Sequence, residues 1–155
     1  MGTIKIETII NAPMQSVFDS LSDHGAYGDF KAIDHAEVVK EGLESKNGNG
    51  AIRKIISGPI TFWEEISNYT EPSRFDYKII NGQVNISFLK LPFPFEHRLG
   101  RITLEESAEG TKVIWLSEID STLPLIGSFL TKLFVQKGTK GFSSILKQVK
   151  RRLEQ

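Results

Sequence analysis

Four polar residues hold most of the chemistry this chain has to offer. Arg53, Glu64, Tyr77 and Arg98 each lie in a short strand-like run among apolar neighbours. Glu64 shares the parity of Ile60, Phe62 and Ile66, so alternation along a strand turns it to their face. Tyr77 and Ile79 alternate with Asp76 and Lys78, and Arg98 takes the parity of Ile102 and Leu104. Arg53 lies between Ala51 and Ile55, while Ile52 and Ile56 hold the other parity, so alternation alone leaves its face open. A charge turned into an apolar interior is costly unless it is paired. An inward Arg53 and an inward Glu64 must therefore meet each other, a ligand or water. Two kinds of chemistry follow. In one, these groups orient the polar head of a bound molecule. In the other, Glu64 moves a proton beside a carbonyl while Arg53 or Tyr77 steadies the enolate oxygen, which needs a carboxyl whose pKa an apolar site has raised.

Other chemistries lack their residues. The sequence has no cysteine, which removes disulfides, thiolate metal sites and a cysteine nucleophile. His24, His35 and His97 show no metal-ligand spacing, so no metal is expected. Gly48 to Arg53 (GNGAIR) fails the dinucleotide fingerprint, because Arg53 occupies its last glycine position and no helix follows. Gly141 to Ile145 (GFSSI) fails the nucleophile-elbow pattern at Ile145. No cofactor is expected. With 19 basic and 19 acidic residues the formal net charge is zero, which argues against nucleic acid as a partner. The basic cluster Lys147, Lys150, Arg151 and Arg152 closes a helical pattern and complements a helix dipole. No run approaches the ~18 apolar residues of a membrane span, so stable membrane insertion is not expected. The N-terminus alternates like a strand and does not read as a signal sequence. Together with the missing cysteines this sets the expectation of a cytoplasmic protein.

The elements that must position those residues are legible in outline. The 155 residues suit one domain, 1–155, burying about 70% of the surface of the unfolded chain. A strand is expected over Thr3–Ile10, then a helix after Pro13 with Val17, Phe18 and Leu21 at helical spacing. Ser22–Phe30 reads as a break and a second short helix, weakened by two glycines. Strand signals then cover Ala36–Leu43, Ala51–Ser57, Ile60–Tyr69, Phe75–Ile80, Val84–Leu89, His97–Glu106 and Thr111–Asp120. Asn-Gly pairs in Ser45–Gly50 and at Asn81–Gly82 mark turns between them. Pro124–Glu154 reads as one long helix with an apolar stripe that includes Phe129 and Leu133, interrupted by Gly138 and Gly141. Tight turns between successive strands imply an antiparallel sheet, and the long helix is the only element large enough to cover its apolar face.

That order, and five segments within it, resemble the START-like, polyketide cyclase/dehydrase superfamily with its helix-grip fold. The segments are IINAPMQSVFDSLSD (from Ile9), GNGAIRKI (from Gly48), EEISNYTEPSRFDYKI (from Glu64), GRITLEESAEGTKVIW (from Gly100) and GFSSILKQVKRRLEQ (from Gly141). Two places depart from the family pattern. Phe30 stands where members often carry tryptophan, and Val84–Phe95 follows no common pattern. The resemblance implies an α+β helix-grip fold, with a curved antiparallel sheet of about six to seven strands around the C-terminal helix. It also implies an internal ligand cavity, and it places Arg53 inward. It does not imply a reaction, since the superfamily mixes binders, carriers, chaperone activators and enzymes.

The leading expectation is a carrier or sensor for a hydrophobic small molecule, such as a lipid, an isoprenoid or quinone, or a polyketide-like aromatic. Arg53, Glu64, Tyr77 and Arg98 would select it, between walls of Phe62, Ile79, Ile102, Trp115, Phe129 and Leu133. For Tyr77 and Trp115 plain core packing is the competing role. The alternative is a cofactor-independent cyclase or dehydratase with Glu64, Arg53 and Tyr77 as candidate catalytic residues. A third is a protein-interaction module using the stiff apolar segment Leu91–Phe95, which otherwise lines or caps the cavity entrance.

Overall fold

A computed structural model describes residues 2–155. The chain runs β1 (Gly2–Ile10), α1 (Met14–Ser22), a 3-10 turn (His24–Asp29), β2 (His35–Lys40), β3 (Ile52–Ser57) and β4 (Ile60–Thr70). It continues through β5 (Arg74–Ile86), β6 (Leu89–Pro92), β7 (Phe95–Ser107), β8 (Gly110–Ser121) and α2 (Gly127–Leu153). All pairings are antiparallel, in the order β1-β8-β7-β5-β4-β3-β2, with β6 added beside β5. This is the helix-grip architecture expected from the sequence, an open antiparallel sheet with a long C-terminal helix. The sheet has eight strands, where six to seven were expected.

Alternation decides which side chains face the helix. On β8, Thr111, Val113, Trp115, Ser117 and Ile119 are all buried and their neighbours are not. Val17, Phe18 and Leu21 of α1 are fully buried, as their spacing predicts, with Pro13 extended just before the first turn. Ile145, Leu146 and Val149 of α2 close the core over the sheet.

Three expectations about the elements are corrected. Asn81–Gly82 is not a turn: β5 runs straight through it for 13 residues, with Trp63 opposite Asn81 and Phe62 opposite Gly82. The ladder to β4 wins over the local turn preference, and Ile80 is left over as a bulge. Gly82 is needed for space, because a Cβ there would stand 2.8 Å from the Cβ of Phe93. The chain reverses instead at Ser87–Phe88, where Ser87 takes a left-handed φ of 57°. The proline-containing piece then forms the short edge strand β6, a place where proline is tolerated. Finally, α2 starts at Gly127 and not at Pro124; Leu125 before it has a positive φ of 66° and is fully exposed.

The segment Leu91–Phe95 divides between two environments. Leu91 is exposed, as are the neighbouring Phe88 and Leu89. Phe93 and Phe95 turn inward and pack on Phe134 of α2, with ring centroids 6.0 and 4.6 Å away. Phe93 also meets Phe62. Among the described residues no helix is long and apolar enough to cross a membrane.

Candidate functional site

Strand register builds the polar centre of the molecule. Arg53 on β3 lies directly opposite Glu64 on β4, both facing the helix side and both nearly sealed from solvent, at 2% and 4% exposure. Arg53 Nε donates to Glu64 Oε1 at 2.7 Å. Its Nη1 reaches His24 Nδ1 at 3.1 Å, and His24 Nε2 is 2.9 Å from the Asn47 carbonyl. Arginine can only donate, so Nδ1 accepts and the His24 proton sits on Nε2, donated to Asn47. Burial and then the Arg53 charge push the His24 pKa down to about 3, which keeps the ring neutral. The Arg53 guanidinium also lies between the rings of Tyr27 and Tyr77, 4.6 and 5.0 Å from their centroids. Burial disfavours its charge, but Glu64 and then the two tyrosines outweigh burial and hold its pKa above the ordinary value. Burial pushes the Glu64 carboxyl up, against the pull of Arg53.

A second polar chain crosses β5, β7 and β8. Trp115 Nε1 donates to the Tyr77 hydroxyl at 2.7 Å. Tyr77 stacks on His97, centroids 5.5 Å apart and planes 23° from parallel. The Ile79 amide donates to His97 Nδ1 at 3.0 Å, and His97 Nε2 is 3.0 Å from Ser117 Oγ. Burial, then the Lys78 and Arg53 charges, lower the His97 pKa to about 4. Burial is also the main cause that raises the Tyr77 pKa, so its hydroxyl stays protonated.

Between this polar floor and α2 lies a cavity of about 340 Å³. Ser57, Glu64, Tyr77, His97 and Ser117 contribute its polar lining from the sheet. Ile33, Ile60, Phe62, Ile79, Ile119, Phe134 and Phe142 supply its apolar walls. Lys137, Gly138 and Gly141 of α2 complete it. The two glycines have different reasons. At Gly138 a Cβ would collide with Ile4 Cδ1 at 2.5 Å, so the helix comes close to β1 there. At Gly141 a Cβ would meet nothing within 4 Å, so that turn faces open space.

The expected site residues fall into three groups. Phe62, Glu64, Tyr77 and Ile79 lie on the cavity lining. Arg53, Ile102 and Trp115 are buried one layer behind it, Arg53 holding Glu64 and Trp115 holding Tyr77 while stacked on Phe142 at 4.2 Å. Arg98, Phe129 and Leu133 are elsewhere. A bulge between His97 and Leu99 in the pairing with β8 inverts the parity of β7. His97 therefore turns inward, while the Arg98 side chain is 46% exposed and stands 4.0 Å from Asp120. On α2, Leu130, Phe134, Phe142, Ile145 and Val149 form the inner seam. Phe129 and Leu133 each lie one residue, about 100°, off it and are 68% and 39% exposed. His24, Tyr27, His97 and Ser117 were not singled out from the sequence. Ser117 had the signal, since it shares the alternating face of Val113, Trp115 and Ile119. Among the described residues no group of three or more histidine or carboxylate side chains is placed to hold a metal ion.

Comparison with known proteins accounts for the architecture. The family model for polyketide cyclase / dehydrase and lipid transport matches residues 1–154. The chain belongs to this family. Solved structures agree in fold. A protein from Thermus thermophilus is 22% identical with a TM-score of 0.74, over 97% of this chain and 96% of that one. A START superfamily protein from Mycobacterium smegmatis is 12% identical with a TM-score of 0.75, over 99% and 98%. The di-domain ARO/CYC StfQ from the steffimycin biosynthetic pathway is 11% identical with a TM-score of 0.76, over 98% of this chain and 50% of that one. No curated protein matches the chain by sequence.

Proposed function

We propose that this protein binds a hydrophobic small molecule, of the lipid, isoprenoid or quinone, or polyketide-like kind, between its sheet and α2, as a carrier or sensor. One observation carries the reading. The cavity of about 340 Å³ has mostly apolar walls, with Glu64, Tyr77, His97 and Ser117 on its floor and few other polar side chains, Ser57 and Lys137, on its lining. That is the usual composition of a small-molecule site, and the volume lies in the ~300–1,000 Å³ range of such sites. Phe62 and Ile79 hold the apolar body, and Glu64 and Tyr77 face its polar end. Arg53 acts through Glu64, and Trp115 through Tyr77. The family description, which names both cyclases and lipid transport, supports the class of ligand. Native mass spectrometry of the gently purified protein tests it. A co-purifying apolar molecule, displaced by an added apolar fluorophore, is the expected result. A protein that arrives empty and does not bind the fluorophore defeats the reading.

A cyclase or dehydratase activity without cofactor is the second reading. It is favoured by Glu64, a buried carboxyl on the lining whose pKa burial raises. Glu64→Gln separates the two. It abolishes turnover of a polyketide-like substrate if Glu64 is the base, and changes a carrier's affinity only modestly.

A further inference from the structure

Ser117, on the cavity lining, is hydrogen-bonded to His97, which is itself fixed by the backbone of β5. The Ile79 backbone N–H donates to His97 Nδ1 at 3.0 Å. A ring nitrogen that accepts carries no proton, so neutral His97 has its proton on Nε2. Burial favours that neutral ring. Nε2 is 3.0 Å from Ser117 Oγ, so Nε2–H donates and the serine oxygen accepts. The hydroxyl still has its own proton to give. Among the described residues nothing accepts it. Ser117 is only 4% exposed and lies on the cavity lining, so bulk water is not at hand either. The same bonds exclude a nucleophilic serine with His97 as its base, because the nitrogen beside Ser117 is already protonated.

We propose that Ser117 donates a hydrogen bond to a carbonyl oxygen of the bound molecule, with His97 as the positioning residue that fixes the hydroxyl as a donor. This rests on the cavity being a binding site and narrows its ligand to ketones, quinones, esters and their like. A carbonyl accepts without bringing a proton of its own. A hydrocarbon of equal shape leaves the buried donor unmet, which weakens binding on the order of tenfold.

Two matched probes test the proposal. 2-Acetylnaphthalene and 2-ethylnaphthalene are nearly equal in size and differ in a carbonyl oxygen. The wild-type protein is expected to bind the ketone about tenfold more tightly. The infrared carbonyl stretch of the bound ketone should fall to lower frequency than in hexane. Ser117→Ala should remove the preference and the frequency shift, chiefly by letting 2-ethylnaphthalene bind more tightly once no buried donor is left unmet. His97→Asn, which keeps an acceptor for the Ile79 amide and loses the donor to Ser117, should weaken both signals. Equal binding of the two probes by the wild type overturns the proposal and leaves the binding reading standing. So does a preference or an unshifted carbonyl stretch that is the same with and without Ser117. Binding of neither probe removes the binding reading and this proposal with it. The wild-type infrared measurement needs no variant, so a poorly folding substitution does not protect the idea.

Discussion

Arg53 shows how much a single buried charge demands of its surroundings. Its guanidinium is met by a carboxylate, a neutral histidine and two aromatic faces, placed by three elements: β4, the 3-10 turn and β5. Removing it strands Glu64 in a dry interior. Arg53→Met is expected to lower unfolding free energy by about 3–5 kcal/mol. Adding Glu64→Gln to that variant should recover a large part of the loss, because an amide needs no counter-charge. Urea denaturation of the two variants checks both, and an equal loss in the single and double variants would show that the pairing is not what matters. The sequence went some way toward this. Parity put Glu64 and Tyr77 on the inner face, and the cost of burial required Glu64 to find a partner. Parity failed for Arg98, because one extra residue in β7 inverts every side chain on one side of it. Nothing local in a sequence announces such a bulge.

At the scale of elements, α2 both covers the core and leaves the cavity. Its lower half packs through Ile145, Leu146 and Val149, while Gly138 and Gly141 thin the half that faces the cavity. Gly141→Leu separates the two duties. A leucine is worth up to about 1 kcal/mol more than glycine in a helix, and a Cβ at this position meets nothing within 4 Å. The variant is expected to unfold at equal or higher temperature yet to lose the apolar fluorophore. Loss of both stability and binding would mean that Gly141 is needed for packing and does not border a binding space. The sequence showed these glycines as interruptions of a helix, without saying whether they weaken it or make room. The hairpin after β5 was misread for a related reason. Asn81–Gly82 has strong turn chemistry, but ladder bonds to β4 and the Phe93 side chain over Gly82 outweigh a local preference.

For the whole molecule, acid is the informative stress. His24 and His97 are neutral in the fold, with pKa values near 3 and 4, and take up protons near 6.5 once unfolded. Between those values the unfolded chain binds more protons, so stability falls as pH is lowered from about 6.5 to about 4. The slope is about 1.4 kcal/mol per pH unit for each histidine. Below about 3.8 Asp76 adds to the loss. Burial opposes its charge, but Arg101, Arg74 and Asn68 hold its pKa near 2. Denaturation midpoints measured from pH 8 to pH 4 should trace that decline, and His97→Asn should flatten part of it. A flat profile would show that neither ring is buried neutral. The sequence by itself determined the class of fold, the order of elements and most inward faces, because hydrophobic periodicity and turn residues act over a few residues at a time. Only the tertiary structure decided which polar groups meet, which strand bulges and where space remains. Those depend on register between distant strands and on how closely one helix approaches the sheet.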